Sequence, residues 1–264
     1  MNRIDKKFES LRVRHKKAFI AFLTAGYPDL RITEHLVLEF EKNGADIMEL
    51  GVPFSDPIAD GPVIQKASFA ALQKGVTLKK ILDLVAHLRQ KTQIPLAVMS
   101  YYNPILHYGP LRFIREAVSA GLDGVIIPDL PPEEEANFSK EAARAGLAVI
   151  HFIAPTTHPQ RARMIARRAH GFIYFVSLTG TTGTRRQLPT ELKQQLKSVK
   201  RIAGRIPVCA GFGVSTPEQV RYVASGCDGV IVGSAIVKKI SANLSQKGLV
   251  QKTGLFIRRL KGKI

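Results

Sequence analysis

The sequence predicts an α/β protein with a single (β/α)8 TIM-barrel domain over residues 1–264. Three observations indicate this fold: short, nearly continuous apolar runs recur, amphipathic stretches separate them, and glycines often stand between the two. Apolar runs without alternation are typical of parallel strands that are covered on both faces. Eight such runs favour a closed barrel over an open doubly wound sheet, and 264 residues match the ~250 typical of one barrel.

Each element follows from a local pattern in the sequence. We expect the strands in the apolar runs Phe19–Leu23, Ile47–Leu50, Leu96–Ser100, Gly124–Ile127, Ala148–Ile153, Phe172–Ser177, Pro207–Ala210 and Gly229–Val232. Spacings of three and four mark apolar helix faces between the strands, as in the stretch 81–88. We also expect additional short helices in the βα loops. Glycine suits the left-handed residue after a helix, which predicts αβ turns at Gly44, Gly121, Gly146 and Gly226.

An extra helix is predicted at the N-terminus. Ile4, Phe8 and Leu11 fall on one face of that helix, which is suited to covering the bottom of the barrel. No run approaches the ~20 apolar residues of a membrane helix, and no apolar leader opens the chain. We therefore expect a cytoplasmic protein without a membrane partner.

Several chemical classes receive little support from the sequence. Cys209 and Cys227 lie inside apolar runs, which indicates buried core thiols rather than a disulfide. The seven histidines lack metal-ligand spacing, so we expect no metal site. The stretch 211–213 is the only Gly-x-Gly, and it lacks the third glycine of a dinucleotide-binding loop.

The net charge of +18 is the unusual bulk property of the chain. Such a charge is compatible with a nucleic-acid partner, an anionic substrate or an acidic protein partner. The basic residues are spread along the chain, with concentrations at both ends and around Lys193–Arg205, and no aromatic residues interleave them. We interpret them as a solvated basic surface and expect no nucleic-acid partner.

Two carboxylates lie near or after the end of the second predicted strand, at the end of the barrel where active sites lie. Glu49 stands within the apolar run Ile47–Leu50, and a buried charge needs a partner or a purpose. A salt bridge within the barrel is the alternative interpretation. Asp60 lies in the following loop and is weak evidence by itself, because Asp-Gly is also ordinary turn chemistry.

Three later βα loops are rich in glycine, at 180–184, 211–215 and 233–235. Backbone N–H groups at a helix N-terminus bind phosphate, and TIM barrels often build such a site from their last loops. One such loop would be an ordinary turn, but three neighbouring loops favour a phosphate site. The residues thus predict a phosphorylated small-molecule substrate and one or two catalytic carboxylates, without identifying the reaction.

The segment ELGVPFSDPIADGPVIQ at residues 49–65 resembles the signature of the tryptophan synthase alpha family. Further similar segments follow in the family's order across the chain: FLTAGYP at 22–28, YYNPI at 101–105, IPDLPPE at 127–133, TGTR at 182–185 and GSAIVK at 233–238. Two positions depart from the family pattern, Thr181 where valine is common and Ala70 where arginine is common. Neither departure affects the carboxylates.

The resemblance implies retro-aldol cleavage of indole-3-glycerol phosphate to indole and glyceraldehyde 3-phosphate. It implies that Glu49 is the catalytic acid and base and that Asp60 binds the indole N–H. The residues that it assigns to the substrate are Phe22, Ile64, Met99, Tyr101, Ile126, Tyr174, Thr182, Gly183, Phe212, Gly213, Gly233 and Ser234. Ordinary core packing is the alternative for the apolar members of this set, above all for Ile64 and Ile126.

The resemblance also implies a partner. In that family the alpha chain assembles with a beta subunit as an alpha2beta2 heterotetramer, and pyridoxal phosphate is expected in the beta subunit only. Asp56 and Asp129 match residues of subunit communication. Two alternatives remain: a stand-alone indole-3-glycerol phosphate lyase, and a non-catalytic barrel that activates a partner or binds nucleic acid.

Overall fold

Eight parallel strands form a closed barrel in the computed structural model, which describes residues 2–176, 190–262 and 264. Each strand pairs with the next along the chain, and β8 pairs with β1. The strands are β1 Ala18–Thr24, β2 Ile47–Gly51, β3 Leu96–Met99, β4 Gly124–Ile126, β5 Ala148–Ile153, β6 Ile173–Val176, β7 Val208–Gly211 and β8 Gly229–Val232. The predicted fold class is confirmed, and the observed strand ends coincide with the predicted ones or differ from them by one residue where both are described.

Helices surround the barrel. Those in the described residues are α1 Arg3–Val13, α2 Leu30–Lys42, α3 Pro62–Gln73, α4 Leu78–Arg89, α5 Tyr102–Tyr108, α6 Pro110–Ala120, α7 Ala136–Ala145, α8 Pro159–Arg168, α9 Leu192–Ala203, α10 Pro217–Ala224, α11 Ser234–Ser241 and α12 Leu249–Lys261. Two helices, α3 and α4, follow β2, and two more, α5 and α6, follow β3. These pairs confirm additional helices in the βα loops.

Successive side chains of a strand point to opposite faces, and this alternation divides the core into two layers. On β1, Phe19 and Leu23 pack between the strands and the outer helices. Ile20 points into the barrel, where it meets Ile47 and Ala97 from the neighbouring strands. Both faces are buried, which explains why the strands read as nearly continuous apolar runs.

Helix α1 closes the bottom of the barrel, as the sequence predicted. Its side chains Ile4, Phe8 and Leu11 are buried in the same cluster as the inward residues of the strands. The ring of Phe8 lies 5.8 Å from that of Phe172, at the start of β6. Asn2 caps the helix by accepting hydrogen bonds from the N–H groups of Ile4 and Asp5.

The αβ turns follow the glycine prediction at three of four positions. Gly44, Gly121 and Gly146 have φ angles of +100°, +89° and +83°, in the region that glycine favours. The prediction was wrong at Gly226, whose φ is not positive. A side chain there would instead be crowded, since a Cβ would lie 3.1 Å from Leu196 Cδ1.

The cysteine prediction is confirmed: Cys209 and Cys227 are both buried and free. Within the described ranges, no helix is long and apolar enough to cross a membrane. Nor does this part of the chain contain a cluster of three or more His, Cys, Asp or Glu residues that could hold a metal ion.

Candidate active site

Glu49 points into the upper part of the barrel. Its strand, β2, pairs it with Phe22 of β1 and with Ala97 of β3, near the carboxyl ends of the strands. The side chain is 0% exposed, and neither carboxylate oxygen has a hydrogen-bond partner among the residues that the structure describes. Desolvation raises the pKa of Glu49 to about 8. Glu49 forms no salt bridge with a described residue, so the alternative interpretation from the sequence finds no support there. With its raised pKa, the carboxyl group is mostly protonated at neutral pH.

Asp60 lies in the loop between β2 and α3, and it is partly buried. Burial raises its pKa to about 6, against the effect of a hydrogen bond from Tyr101, which lowers it. The Tyr101 hydroxyl lies 3.3 Å from Asp60 Oδ2 and accepts a hydrogen bond of 2.8 Å from the N–H of Ala59. Near neutral pH, Asp60 is therefore mostly ionised while Glu49 is mostly protonated.

Tyr174 lies near enough to both carboxylates for their charges to affect its pKa. It is partly buried, and its pKa is raised well above the usual value by desolvation first and then by the charges of Glu49 and Asp60. Its hydroxyl approaches the end of β7, where a Cβ on Gly211 would lie 2.8 Å from the oxygen. Glycine is therefore required at Gly211 for this packing, and the two carboxylates share one neighbourhood with the tyrosine.

The apolar candidates form the walls around Glu49. Phe22 packs in one cluster with Ile64 and Met99, and Ile126 points into the barrel interior beside Met99. Phe212 behaves differently, because its ring packs 5.6 Å from Phe175 in the layer between strands and helices. Its place in the ligand pocket stays a prediction, as does that of the other wall residues.

The last two βα loops bring glycines to the same end of the barrel. Gly213 follows β7 and has a φ of +64°. Gly233 follows β8 and is the N-cap of α11, which begins at Ser234. The N-terminus of a helix carries unpaired N–H groups and a partial positive charge. Two further candidates of this site, Thr182 and Gly183, lie outside the described residues.

The two aspartates assigned to communication lie in loops at this end. Asp129 accepts a hydrogen bond of 2.8 Å from the N–H of Tyr102, so it connects the loop after β4 to the start of α5. Asp56 is exposed and accepts a hydrogen bond from the hydroxyl of Ser55.

Sequence reasoning missed two features of this end of the barrel. The first is the contact of the Tyr101 hydroxyl with Ala59 and Asp60. Because 41 positions separate Tyr101 from Asp60, no local sequence pattern predicts this contact. The second is the exposure of two apolar side chains at this end: Ile58, in the loop after β2, is 81% exposed, and Leu106, in α5, is 55% exposed. Large exposed apolar side chains near a pocket are a common sign of a partner surface.

The arrangement is suited to proton transfer on an anionic ligand. A neutral carboxylic acid in an apolar chamber can donate a proton and take one back, because its pKa lies near neutrality. An ionised carboxylate beside it can stabilise a developing positive charge. The helix N-terminus at Ser234 is suited to an anionic group such as phosphate.

Comparison with known proteins identifies similar chains. A family model described as tryptophan synthase alpha chain matches residues 8–263. The tryptophan synthase alpha chain of Geotalea daltonii is 48% identical, over 100% of this chain and 99% of its own. That of Geobacter sulfurreducens is 50% identical over 90% of each chain.

Solved structures agree with the sequence comparison. The crystal structure of the tryptophan synthase alpha chain from Legionella pneumophila superposes with a TM-score of 0.91, at 38% identity, covering 99% of this chain and 96% of that one. A structure of tryptophan synthase from Mycobacterium tuberculosis gives a TM-score of 0.90 at 33% identity, covering 98% of this chain and 97% of that one.

Proposed function

Because the chain belongs to the tryptophan synthase alpha chain family, we propose that Glu49 and Asp60 carry out its reaction. The enzyme is a carbon–carbon lyase of L-tryptophan biosynthesis that cleaves indole-3-glycerol phosphate to indole and glyceraldehyde 3-phosphate. The observation that carries the residue assignment is the complete burial of Glu49 without a hydrogen-bond partner in the described environment. Such a carboxyl is costly to the fold unless it serves a ligand.

The cleavage needs one proton donated and one accepted. Protonation at indole C3 makes the ring a leaving group and places a positive charge on its nitrogen. The hydroxyl on the adjacent glycerol carbon then loses its proton, the bond from C3 to that carbon breaks, and the aldehyde forms. The electron pair of the broken bond returns to the ring, which restores indole.

Glu49 supplies both proton transfers in this proposal. Its protonated form gives a proton to C3, and the resulting carboxylate takes the hydroxyl proton, so the residue ends the cycle as it began. The raised pKa of about 8 keeps the acid form populated at neutral pH. Positioned proton transfer contributes about 10²–10⁴-fold to a rate.

Asp60 stabilises the positively charged ring by accepting a hydrogen bond from the indole N–H. Its pKa of about 6 leaves it ionised at neutral pH, and the hydrogen bond from Tyr101 holds the carboxylate in its loop. A carboxylate aimed at a charge that develops during the reaction lowers the barrier because it needs no reorganisation at that moment.

The phosphate of the substrate binds at the N-terminus of α11. The N–H groups that follow Gly233 point toward the barrel mouth, and Gly213 and the hydroxyl of Ser234 complete the site together with Thr182 and Gly183. The indole ring lies between this anchor and Glu49, against Phe22, Ile64, Met99, Tyr101, Ile126, Tyr174 and Phe212.

The family implies a beta-subunit partner. We place that partner over the barrel mouth, where Ile58 and Leu106 expose apolar surface and where Asp56 and Asp129 lie in the loops. The assembly is an alpha2beta2 heterotetramer in the cytoplasm, and indole passes directly to the beta chain. The alpha chain uses no cofactor of its own, since pyridoxal phosphate belongs to the beta chain.

One assay tests this function. The purified chain is given indole-3-glycerol phosphate, and indole release is followed with and without a beta subunit. Release that a beta chain strongly stimulates supports the assembly. Full release without any stimulation would favour the stand-alone lyase, and no release under either condition would refute the catalytic assignment.

A further inference from the structure

One segment of the chain holds most of the unexplained positive charge. Residues 142–217 contain twelve Lys and Arg residues and a single acidic residue, Glu191, within a chain of net charge +18. This segment builds α8 and α9, which pack side by side on the flank of the barrel. Eight of these cations lie on α8 and α9, so a large share of the charge that the sequence interpretation assigned to a solvated surface lies on one flank of the barrel.

A groove runs between these two helices. Its volume is about 450 Å³, and it is lined by Arg163, Ala166 and Arg167 of α8 and by Arg201, Ile202 and Ala203 at the end of α9. A second depression of about 260 Å³ adjoins it along α8 and shares two of its arginines. The two depressions form one surface, which we call the arginine groove.

Three of the four arginines that line the groove are unpaired in the described structure, and the fourth, Arg168, donates a hydrogen bond to the carbonyl of Pro132. Neighbouring cations do find carboxylates: Arg161 pairs with Glu133 at 2.9 Å, and Lys200 pairs with Asp228 at 2.7 Å. Arg163, Arg167 and Arg201 form no ion pair with any described residue. The stretch 177–189 that is not described contains no Asp or Glu, so it offers no carboxylate either.

Glu191, the single acidic residue of the segment, lies too far along α9 to neutralise the arginines of the groove. Glu191 precedes the first turn, and Arg201 lies ten residues later, which is roughly 15 Å along a helix axis. Because each barrel helix runs back from the mouth, the C-terminal halves of α8 and α9 face the bottom. The groove is therefore remote from the surface proposed for the beta chain.

We propose that the arginine groove binds the phosphate backbone of single-stranded nucleic acid. This proposal reverses the expectation, drawn from the sequence, that the chain has no nucleic-acid partner. Its cations are all arginine, whose planar guanidinium group forms paired hydrogen bonds to phosphate oxygens and releases water more readily than an ammonium group. A recess between two helix ridges admits one extended chain of phosphates. No exposed aromatic ring of α8 or α9 is available for base stacking, so the contact is independent of base sequence.

A polymer fits this surface better than a small phosphorylated metabolite. Small-molecule sites enclose most of the ligand and are lined mainly by apolar groups, whereas the three unpaired arginines here are exposed to solvent. A polyanion gains from many separate weak contacts, because each neutralised phosphate releases counterions. Arg168 lines the second depression of the groove, and Lys193 and Lys197 of α9 extend the positive surface beyond it.

The test is fluorescence anisotropy with a labelled oligothymidylate, titrated with the protein at several salt concentrations. We expect a dissociation constant on the order of 10⁻⁴–10⁻⁶ M at physiological salt. The triple variant Arg163→Gln, Arg167→Gln, Arg201→Gln should bind at least tenfold more weakly at low salt. Its slope of log K against log salt should be shallower by about 2, since each lost contact with a single strand removes roughly 0.7.

A matched control removes the same charge elsewhere. Arg14, Arg258 and Arg259 are exposed and also form no ion pair with a described residue, and they lie outside the groove. The triple Gln variant at these positions should retain most of the oligonucleotide binding. Indole release by both triple variants should equal that of the parent protein, which shows that they are folded.

Three results would overturn the proposal. They are the absence of measurable oligonucleotide binding, an equal loss in both triple variants, and displacement of the oligonucleotide by polyglutamate at equal charge concentration. The last result would indicate an acidic protein as the occupant. Since oligonucleotide binding is measured without substrate or beta chain, its failure leaves the catalytic assignment of Glu49 and Asp60 untouched.

Discussion

The hydroxyl of Tyr101 donates a hydrogen bond of 3.3 Å to the carboxylate of Asp60. The same oxygen accepts a bond of 2.8 Å from the N–H of Ala59, so one side chain holds two consecutive residues of the loop after β2. The ring of Tyr101 also packs 5.2 Å from that of Phe54 in that loop. Tyr101 thus positions the carboxylate that we assign to the indole N–H.

Replacement of Tyr101 by Phe tests this positioning role. The variant keeps the ring contact with Phe54 but loses both hydrogen bonds, and the bond to Asp60 is one that lowers its pKa. We expect kcat to fall about tenfold and the acidic limb of the pH profile to move to higher pH. A profile with an unchanged acidic limb would show that the hydroxyl does not act on Asp60.

Replacement of Glu49 by Gln should remove nearly all indole release. Glutamine keeps the size of the side chain but cannot exchange a proton, so we expect a loss of about 10²–10⁴-fold in kcat. Binding of a substrate analogue, measured by calorimetry, should persist. Activity within about tenfold of the parent protein is incompatible with the assigned role.

The same variant provides its own check on folding. Burial raises the pKa of Glu49 from 4.5 to about 8, so between these pH values the unfolded chain loses this proton while the folded protein keeps it, and stability falls as pH rises. Glutamine has no such cost. Denaturant unfolding should therefore find the variant more stable than the parent protein at about pH 9, with the difference lost below pH 4.5.

The pH dependence of kcat/KM should be bell-shaped. Activity should rise with an apparent pKa of about 6 as Asp60 ionises, and fall with one of about 8 as Glu49 loses its proton. A phosphate group also ionises near 6, so the Asp60→Asn variant is the control. Its low residual activity should lack the acidic limb. A limb that persists in this variant belongs to the substrate.

Replacement of Ser234 by Asp should abolish phosphate binding at the start of α11. The new carboxylate would stand where the phosphate is proposed to bind, and like charges repel. We expect binding of glycerol 3-phosphate to weaken at least tenfold while indole binds as before, both measured by calorimetry. Gly233 is a less clean position, because a Cβ there would lie 3.1 Å from the Phe22 ring.

The exposed serine Ser10 on α1 is the matched control, since Ser10→Asp adds the same charge far from the mouth. Equal weakening of both ligands by Ser234→Asp would mean that the loop is structural and that the phosphate binds elsewhere.

Replacement of Ile58 by Asp should weaken stimulation by a beta subunit. Ile58 is 81% exposed at the mouth, and a charge there is costly to bury in an interface. Leu255→Asp is the control, since Leu255 is 59% exposed on α12, outside the mouth loops. Indole release is titrated with the beta chain for each variant. Equal effects at both positions would contradict docking at the mouth.

The same titration tests an electrostatic expectation. Although the arginine groove lies away from the mouth, the net charge of +18 should attract an acidic beta chain over distance, so we expect the association rate to fall as salt rises. An association rate that does not change with salt would mean that charge plays no part in association and that apolar side chains such as Ile58 make the contact.

Much of the fold could be predicted because the relevant signals are local. A run such as Ile47–Leu50 shows its burial through composition alone, and Glu49 stands out within it as a carboxyl without a local partner. The structure adds the inward direction of that side chain, which follows from its register with Phe22 and Ala97.

The features that escaped prediction depend on distant contacts or on exact backbone angles. The contact of Tyr101 with Asp60 joins residues on different loops, and sequence spacing carries no information about it. Gly226 has the same sequence pattern as Gly121, but only Gly121 adopts a positive φ. The proximity of Arg163 and Arg167 to Arg201 depends on the packing of α8 against α9, which sequence spacing does not give.

Because α1 closes the lower end of the barrel, ligands can reach the barrel interior from the mouth. Ile4, Phe8 and Leu11 fill the lower opening, so a molecule beside Glu49 has its way out at the mouth. The substrate, the aldehyde product and indole must therefore all pass through the mouth. If the beta chain covers the mouth, as we propose, it also determines when substrate can enter and when the aldehyde can leave.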